Sequence, residues 1–461
     1  MGRWLLLLYA GLGGIHPQNE PQRLARDILQ QLIDINTTDS SGNNTQAAQA
    51  MAERLKSGGF PAADVLVLGP NERKGNLVVR LRGSGARPPI LLLAHLDVVE
   101  ARREDWSVDP FHFLERDGYF YGRGSQDNKA GVAIFVANLI RYRQERYRPD
   151  RDLILALTSD EEFGKFNGVE WLLKNHRELI DAQYCINSDG GDSQMKNGKR
   201  LFQAIQAGEK VYISFQLEAT NPGGHSSLPV KENAIYRLAG ALTRLADFAF
   251  PARLSEVTRT FFAQMARVET GETARDMRGA AQMPPDPAAI RRLSESAYYN
   301  ALLRTTCVAT TLQGGHAENA LPQRARAVVN CRMLPDERPE DVRQALVRVV
   351  ADDQISITVV TPAQPGPASP LEPEVVRSVK HVTDNMWPGL PVIPWMDMGA
   401  SDGRLLRAAG IPTYGISGLA YEDSEIRAHG RDERISAANF YEGQQFLYAL
   451  VKELSSGGGA R

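Results

Sequence analysis

Short apolar strands alternate with helices across residues 76–190, and this alternation constrains the fold more than any other feature. PILLLAHLD, DLILALTSD and YCINSDGG have the length and apolar character of buried strands. KAGVAIFVANLIRYRQE and VEWLLKNHREL, which lie between them, have helical spacing. This alternation is typical of a layered α/β fold with a largely parallel sheet, because parallel strands need crossover connections.

The pattern changes near Gly208, where KVYISFQLEA alternates like a half-exposed strand. Strand–helix–strand units between residues 208 and 362 predict an inserted α+β domain, although the polar stretch at about residues 251–300 has no clear assignment. PAQPGPASP at 362–370 reads as a linker. We therefore predict a three-layer α/β domain in two parts, 1–207 and 363–461, interrupted by an inserted domain at 208–362.

Length and charge narrow the classes of function. A chain of 461 residues is too long for one ordinary core, which favours two domains. The 53 Lys and Arg residues nearly balance the 55 Asp and Glu residues, so no overall field favours nucleic acid or an anionic membrane. Three cysteines are too few for a disulfide framework, although Cys307 and Cys331 could lie on neighbouring strands.

The N-terminus, MGRWLLLLYAGLGGIHP, has an Arg followed by an apolar run. Residues 1–18 are therefore either a signal peptide with a poor cleavage site or an apolar extension, and the run is too short to span a bilayer comfortably. Cytoplasmic and exported locations both stay open.

Polar side chains follow the apolar strands at the points where the strands end. The stretches are AHLD with His95 and Asp97, GRGSQDNKAG with Asp127, TSDEEFG with Glu161 and Glu162, NSDGG with Asp189, and RAHGRDER with His429. Ligands of open α/β sheets gather outside the carboxyl ends of the strands, so if these strands are parallel we expect the first four stretches to converge, while His429 comes from a late loop.

Histidine and carboxylate ligands of this kind suit divalent metals. Two zinc ions that share a carboxylate need about five ligands and a base that is not a ligand. The candidate ligands are His95, Asp127, Glu162, Asp189 and His429, with Glu161 left over as the base. Asp97 is placed to fix the tautomer of His95 through a hydrogen bond. Each stretch alone is common on protein surfaces, so the prediction rests on the ordered set.

The ordered set of motifs resembles the dizinc metallopeptidase family of aminoacylase, acetylornithine deacetylase, succinyl-diaminopimelate desuccinylase, carnosinase and glutamate carboxypeptidase. The motifs are AHLDVV, GRGSQDNKAG, DEEFG, NSDGG, GGHSSLP, GASDGRLLRAAGIPTYGISG and AHGRDERI. DWSVDPFHFLERDGYFYGRGSQD is most similar to the branch of carboxypeptidase S and the N-acyl-amino-acid hydrolases. The resemblance implies a zinc-exopeptidase-like catalytic domain with an inserted ferredoxin-like lid or dimerisation domain.

The resemblance also implies a role for each metal-site residue. Asp127 would bridge both ions, His95 and Asp189 would complete one site, and Glu162 and His429 the other. Glu161 would be the general base that takes a proton from the water between the ions. A cis peptide bond between Asp127 and Asn128 is expected on the same ground.

A second group of residues would contact the substrate. By resemblance, His225 of GGHSSLP would donate to the substrate carbonyl oxygen, often across a dimer interface. Asn319 and Arg332 would hold the substrate, and an Arg fork suits a carboxylate. The loop around Gly418 would receive the free carboxylate through its backbone.

The sequence thus predicts a zinc-dependent amide hydrolase, with cobalt or manganese as alternative metals. Its substrate would be an N-acyl amino acid or short peptide with a free carboxylate, and Asp at position 189 tilts this towards deacylase or dipeptidase chemistry by resemblance. The alternatives are a carboxypeptidase that acts on longer peptides and a non-catalytic scaffold, which would usually have lost ligands. A homodimer through the inserted domain is possible, and neither nucleic acid nor a membrane span is expected.

Overall fold

The computed structural model describes residue 17, residues 19–364 and residues 366–457, so the apolar run of the signal-like segment lies outside the described residues. The helices are α1 (Glu20–Ile33), α2 (Asn44–Ser57), α3 (Lys129–Gln144), α4 (Gly168–Asn175), α5 (Arg177–Ile180), α6 (Ala234–Ala246), α7 (Glu256–Met265), α8 (Gly271–Ala280), α9 (Pro287–Leu293), α10 (Ala297–Leu303), α11 (Pro339–Val350), α12 (Pro373–Met386), α13 (Gly403–Ala408) and α14 (Ala437–Ser455). The strands are β1 (Val65–Leu68), β2 (Asn76–Leu81), β3 (Ile90–His95), β4 (Leu114–Arg116), β5 (Tyr119–Tyr121), β6 (Leu153–Thr158), β7 (Tyr184–Asn187), β8 (Ser193–Lys196), β9 (Lys199–Arg200), β10 (Gln203–Glu209), β11 (Val211–Thr220), β12 (Gly224–His225), β13 (Thr306–Gly314), β14 (Ala320–Leu321), β15 (Arg324–Met333), β16 (Ile355–Thr361), β17 (Val392–Asp397), β18 (Thr413–Gly415), β19 (Ala420–Tyr421) and β20 (Arg434–Ser436).

The chain forms two compact units. Unit 1 comprises Met1–Gln203, Arg377–Leu390 and Ile416–Arg461, and unit 2 comprises Ala204–Val376 and Pro391–Gly415. Residues 363–376 and 391–415 therefore group with unit 2, which differs from the boundary expected at 362/363. The assignment of a catalytic and an inserted domain stays a prediction.

Unit 1 contains strands in the order β1-β2-β6-β3-β7. Strand β3 runs parallel to both β6 and β7, and all three are buried at every residue. Their carboxyl ends therefore lie at one edge of the sheet. Helix α3, which is buried along nearly its whole length, packs against β3 and against α1 and α14.

The sheet of unit 1 is mixed, because β2 pairs antiparallel with both β1 and β6. The expectation of a largely parallel sheet is wrong for these two strands. The connection from β2 to β3 covers only residues 82–89, which leaves no room for a crossover helix, so the chain reverses direction there.

Unit 2 contains an antiparallel four-stranded sheet in the order β13-β15-β11-β16. Alternate residues of β15 are buried, and they form a core with the apolar faces of α6 and α11. The predicted fold class, α/β with a second α+β domain, is confirmed. Cys307 of β13 and Cys331 of β15 are opposite each other and form a disulfide.

The stretch that the sequence left unassigned forms the helices α7 to α10. Ser255, Asp286 and Ser296 each accept a backbone hydrogen bond at the start of one of these helices, which is a common N-terminal signal. Helix α7 packs on β17, which follows more than a hundred residues later in the chain. The strand that covers the apolar face of α7 is thus remote in sequence. The polar residues of this stretch therefore make the helix hard to recognise from the sequence.

The end of the proline-containing segment is tied to strands at Ser369 and is not a loose linker there. Ser369 is buried, its backbone N–H donates to the Ala207 carbonyl oxygen at 2.7 Å, and its hydroxyl donates to the Thr413 carbonyl oxygen at 2.8 Å. None of the helices in the described ranges is long and apolar enough to cross a membrane.

A glycine brings α3 close to the end of β7. A Cβ atom at Gly131 would lie 2.2 Å from Ser188 Oγ and 2.6 Å from Asn128 Oδ1. Ser188 and Asn128 also hydrogen-bond each other, with the Ser188 hydroxyl 2.9 Å from Asn128 Oδ1. The start of α3 and the end of β7, which carry Asp127 and Asp189, are therefore fixed to each other.

We expect Gly131→Ala to lower the free energy of unfolding by about 1–3 kcal/mol, because the added methyl group overpacks this contact. The matched control is Gly240→Ala in α6, where the nearest atom to the added Cβ is Arg244 Nη1 at 3.5 Å. That change should stabilise by up to about 1 kcal/mol, as alanine does in an unobstructed helix. Urea unfolding midpoints measure both, and a Gly131→Ala variant as stable as Gly240→Ala would contradict the contact.

Candidate metal centre

The candidate ligands converge at the edge where three parallel strands of unit 1 end. His95 is the last residue of β3, Glu161 and Glu162 follow β6, and Asp189 follows β7. Asp127 precedes α3 directly after the turn that follows β5. Convergence at the carboxyl ends of parallel strands is what the α/β topology predicts.

Asp127 lies between two histidines. Its Oδ1 is 2.9 Å from His95 Nε2, and its Oδ2 is 3.1 Å from His429 Nε2. His429 Nε2 is also 3.0 Å from Glu162 Oε1, and His95 Nε2 is 4.0 Å from Asp189 Oδ1. The five candidate ligands thus form two sets that share one carboxylate.

Glu161 lies in the same cluster. One ligand atom each of His95, Glu161 and Asp189 lie within 4.8 Å of one another, and the same holds for His95, Asp127 and Glu162. These distances alone are compatible with Glu161 as a metal ligand and with Glu161 as the general base.

The carboxylates stabilise positive charge on both imidazoles. Burial would lower the pKa of His95, but the hydrogen bond with Asp127 and the charge of Asp189 raise that pKa well above its usual value. Hydrogen bonds with Asp127 and Glu162 raise the pKa of His429 to about 10. Burial would raise the pKa of Asp127, yet its hydrogen bonds with the two histidines hold that pKa below the ordinary range. A cluster that favours cationic partners in this way suits metal ions.

The backbone near β3 fixes the tautomer of His95. His95 Nδ1 lies 3.0 Å from the carbonyl oxygen of Asp97. Because a carbonyl oxygen only accepts, Nδ1 carries a proton and Nε2 faces the carboxylates.

The Asp97 carboxylate has a different partner from the one expected. Its Oδ1 is 3.7 Å from His95 Nδ1, beyond hydrogen-bond distance, so it does not fix the tautomer. Instead Oδ1 accepts from the Glu161 N–H at 3.1 Å and Oδ2 from the Glu162 N–H at 3.0 Å. Burial raises the pKa of Asp97 to about 6. Asp97 therefore positions the backbone of the two glutamates.

Lys74 belongs to the surroundings of this site, although no motif in the sequence marks it. Its ammonium group forms a buried ion pair with Asp160 and lies 2.7 Å from Asp39 Oδ1. Asp160 has a positive φ of 63° and its other carboxylate oxygen accepts from the Phe166 N–H at 2.6 Å. Lys74 and Asp160 together hold the loop that carries Glu161 and Glu162.

Unit 2 brings His225 and Asn319 together. Strands β12 and β14 pair, with His225 opposite Ala320, and the Ser226 N–H donates to the Asn319 carbonyl oxygen at 3.0 Å. The Ser227 N–H donates to His225 Nδ1 at 3.2 Å, so the proton of the neutral ring resides on the exposed Nε2. His225 therefore presents a hydrogen-bond donor to solvent.

Arg332 and Gly418 lie in separate settings. The half-buried Arg332 guanidinium lies 4.8 Å from the centre of the Tyr212 ring in unit 2, and its Nη1 is 3.4 Å from the Met398 carbonyl oxygen. Gly418 of unit 1 has a positive φ of 71°, and a Cβ atom there would lie 2.7 Å from Phe446 Cδ1. The Gly418 carbonyl oxygen accepts from Arg200 Nη2 at 3.0 Å.

The peptide bond between Asp127 and Asn128 is cis, as expected.

A model of the family described as Peptidase family M20/M25/M40 matches residues 91–453. N-fatty-acyl-amino acid synthase/hydrolase PM20D1 of Bos taurus is 28% identical over 470 aligned residues, which cover 96% of this chain and 92% of that protein. Probable carboxypeptidase S-like 2 of Dictyostelium discoideum is 28% identical over 374 residues, or 79% of this chain and 71% of that protein.

Solved structures share the fold at lower sequence identity. An M20 family metallo-carboxypeptidase from Sulfolobus solfataricus has a TM-score of 0.67 and 17% identity, over 93% of this chain and 99% of that one. Human carnosine dipeptidase 1 has a TM-score of 0.59 and 16% identity, over 94% of this chain and 97% of that one.

Proposed function

The chain belongs to peptidase family M20/M25/M40, as its motifs indicated, and from this premise we propose that it hydrolyses the amide bond beside a residue with a free α-carboxylate. The substrate is an N-acyl amino acid or a short peptide. The observation that carries the proposal is the Asp127 carboxylate, whose two oxygens lie 2.9 Å and 3.1 Å from nitrogens of two different histidines.

The donor set fits two divalent ions. Imidazole nitrogens and carboxylate oxygens suit zinc, and cobalt or manganese as alternatives. Asp127 would contact both ions, His95 and Asp189 one of them, and Glu162 and His429 the other. Bound there, such ions supply a lowered pKa for water and polarisation of the substrate carbonyl group.

Glu161 acts as the general base in this proposal. Its carboxylate takes a proton from the attacking water while the oxygen of that water bonds to the carbonyl carbon. When the carbon–nitrogen bond breaks, Glu161 returns the proton to the leaving nitrogen, which gives an amine and a carboxylic acid. The hydrogen bonds from the Glu161 and Glu162 N–H groups to Asp97 keep the base in place for both transfers.

His225 stabilises the substrate oxygen through Nε2–H, the atom that the Ser227 contact leaves as a donor. Asn319, the Arg332 guanidinium and the backbone near Gly418 are proposed to bind the rest of the substrate, including its carboxylate. A homodimer joined through the inserted domain remains part of the proposal. It is supported by the edge strand β13, where Val308 is 61% and Leu312 is 67% exposed.

The name of one relative supports an N-acyl amino acid as the substrate. The Bos taurus protein named N-fatty-acyl-amino acid synthase/hydrolase PM20D1 is 28% identical over 96% of this chain. Carboxypeptidase action on longer peptides is the second candidate, and the Sulfolobus metallo-carboxypeptidase and the carboxypeptidase S-like protein support it.

A hydrolysis screen tests the reaction class. N-acyl amino acids, dipeptides and longer peptides should be cleaved only when the carboxylate is free, and the matched C-terminal amides should react at least about a hundredfold more slowly. A chelator should abolish the activity, and added zinc, cobalt or manganese should restore it. Equal rates for acids and amides, or activity unaffected by the chelator, would contradict the proposal.

Glu161→Gln should retain metal and substrate binding but lower kcat by at least about 10²–10⁴-fold, because the amide cannot accept the proton. Elemental analysis and steady-state kinetics measure the two effects. The matched control is Glu178→Gln, the same change at an exposed residue of α5, which should leave kcat unchanged. Loss of metal together with turnover would make Glu161 a ligand.

His225→Ala should lower kcat by about 10²–10³-fold, as removal of an oxyanion donor does, while the metal content stays constant. His316 also follows two glycines and is exposed, so His316→Ala is the matched control and should retain full activity. Equal activity of the two variants would remove His225 from the reaction.

A further inference from the structure

Glu433 is a fully buried carboxylate whose acceptor positions are all used near the Asp127 turn. Its Oε1 accepts from the Gln126 N–H at 2.7 Å and from the Asp127 N–H at 3.1 Å. Its Oε2 accepts from the Gly124 N–H at 3.1 Å and from Arg123 Nη1 at 2.6 Å. A carboxylate has about four acceptor sites, so these four hydrogen bonds satisfy it.

Arg123 extends the same contact to the segment that carries His429. Its Nη2 lies 3.5 Å from the His429 carbonyl oxygen and 3.4 Å from the Glu100 carbonyl oxygen. Its guanidinium also lies 5.0 Å from the centre of the Trp106 ring. The buried pair Arg123–Glu433 therefore contacts the backbone of Asp127, the proposed bridging residue, and the backbone of His429.

The two segments that this pair joins are far apart in the chain. Asp127 follows β5, whereas His429 and Glu433 precede β20. Strands β5 and β20 pair antiparallel, with Tyr121 opposite Arg434, and the Gly122 N–H donates to the Glu433 carbonyl oxygen at 3.1 Å. Strand pairing aligns the segments, and the ion pair then determines where the turn 122–127 lies.

We propose that Arg123 and Glu433 are positioning residues that hold Asp127 and His429 in register for metal binding before an ion arrives. This inference rests on the proposed function, because it assigns the pair a role at the metal centre. Neither side chain lies among the candidate ligands. Each acts through the backbone of a residue that does.

The chemistry of the pair predicts what its loss would do. Glutamine at position 433 would keep one acceptor oxygen but turn an NH₂ group towards N–H donors, and it would leave the Arg123 charge buried without a counter-ion. The turn would then lose its fixed position. Residues that orient metal ligands typically cost about 10–100-fold in metal affinity when they are changed.

The experiment compares metal affinity with stability. Zinc dissociation constants are measured by competition with a chromogenic chelator for the wild type, Glu433→Gln and the double variant Arg123→Met/Glu433→Gln. Both variants should bind zinc at least about tenfold more weakly than the wild type. The double variant leaves no unpaired charge, so its melting temperature without metal should be closer to that of the wild type than the melting temperature of Glu433→Gln.

A different buried ion pair supplies the control. Glu209 Oε1 is 2.7 Å from Arg407 Nη2 in unit 2, and both side chains are buried. Glu209→Gln should lower the melting temperature but leave the zinc dissociation constant within twofold of the wild type. If this control weakens zinc binding as much as Glu433→Gln does, affinity follows general stability and the inference is overturned.

Hydrogen exchange tests the claim without any variant. In the metal-free wild type, the amides of residues 124, 126 and 127 should exchange slowly, because Glu433 accepts from all three. If neither variant folds, this measurement on the wild type still tests the inference. Fast exchange, or zinc affinity within twofold of the wild type in a folded variant, overturns the inference. A wild type that binds no metal overturns the proposed function itself.

Discussion

Buried carboxylates must be compensated, and unit 1 is organised by this requirement. An uncompensated charge in a protein interior is costly, so each buried acid near the site has a specific partner. Asp97 accepts from two backbone amides, Asp160 pairs with Lys74, and Glu433 accepts from Arg123 and three amides. Asp127 and Glu162 are instead paired with histidines, groups whose nitrogens can bind a metal instead of a proton.

Strand pairing and these compensating contacts together position the candidate ligands. The parallel strands β3, β6 and β7 bring their carboxyl ends to one edge, which sets the coarse position of His95, the glutamates and Asp189. Acids that are not candidate ligands then fix the loops: Asp97 and Asp160 hold the glutamate loop, and Glu433 holds the Asp127 turn. Removal of such an acid would disturb the position of a candidate ligand without changing that residue itself.

Much of this arrangement could be predicted from sequence, for local reasons. Apolar runs followed by polar residues mark strand ends, so the convergence of His95, Glu162 and Asp189 follows from the alternating pattern and parallel pairing. Asp127 instead follows β5, which pairs antiparallel with β4 and β20. The direction of β2 could not be predicted in this way, because it depends on a short connection and on pairing with β6. The helices α7 to α10 were missed because the partner of α7, strand β17, is remote in sequence. Lys74 and Glu433 carry no local signal either, since a charged residue that will be buried looks like any surface residue until its partner is known.

The short ribbon of β12 and β14 links two of the proposed substrate contacts. His225 and the chain beside Asn319 are joined by strand pairing and by the Ser226 hydrogen bond, so the backbones of these two residues lie next to each other. Under the proposed function, the residue that donates to the substrate oxygen and a residue that holds the rest of the substrate therefore belong to one ribbon.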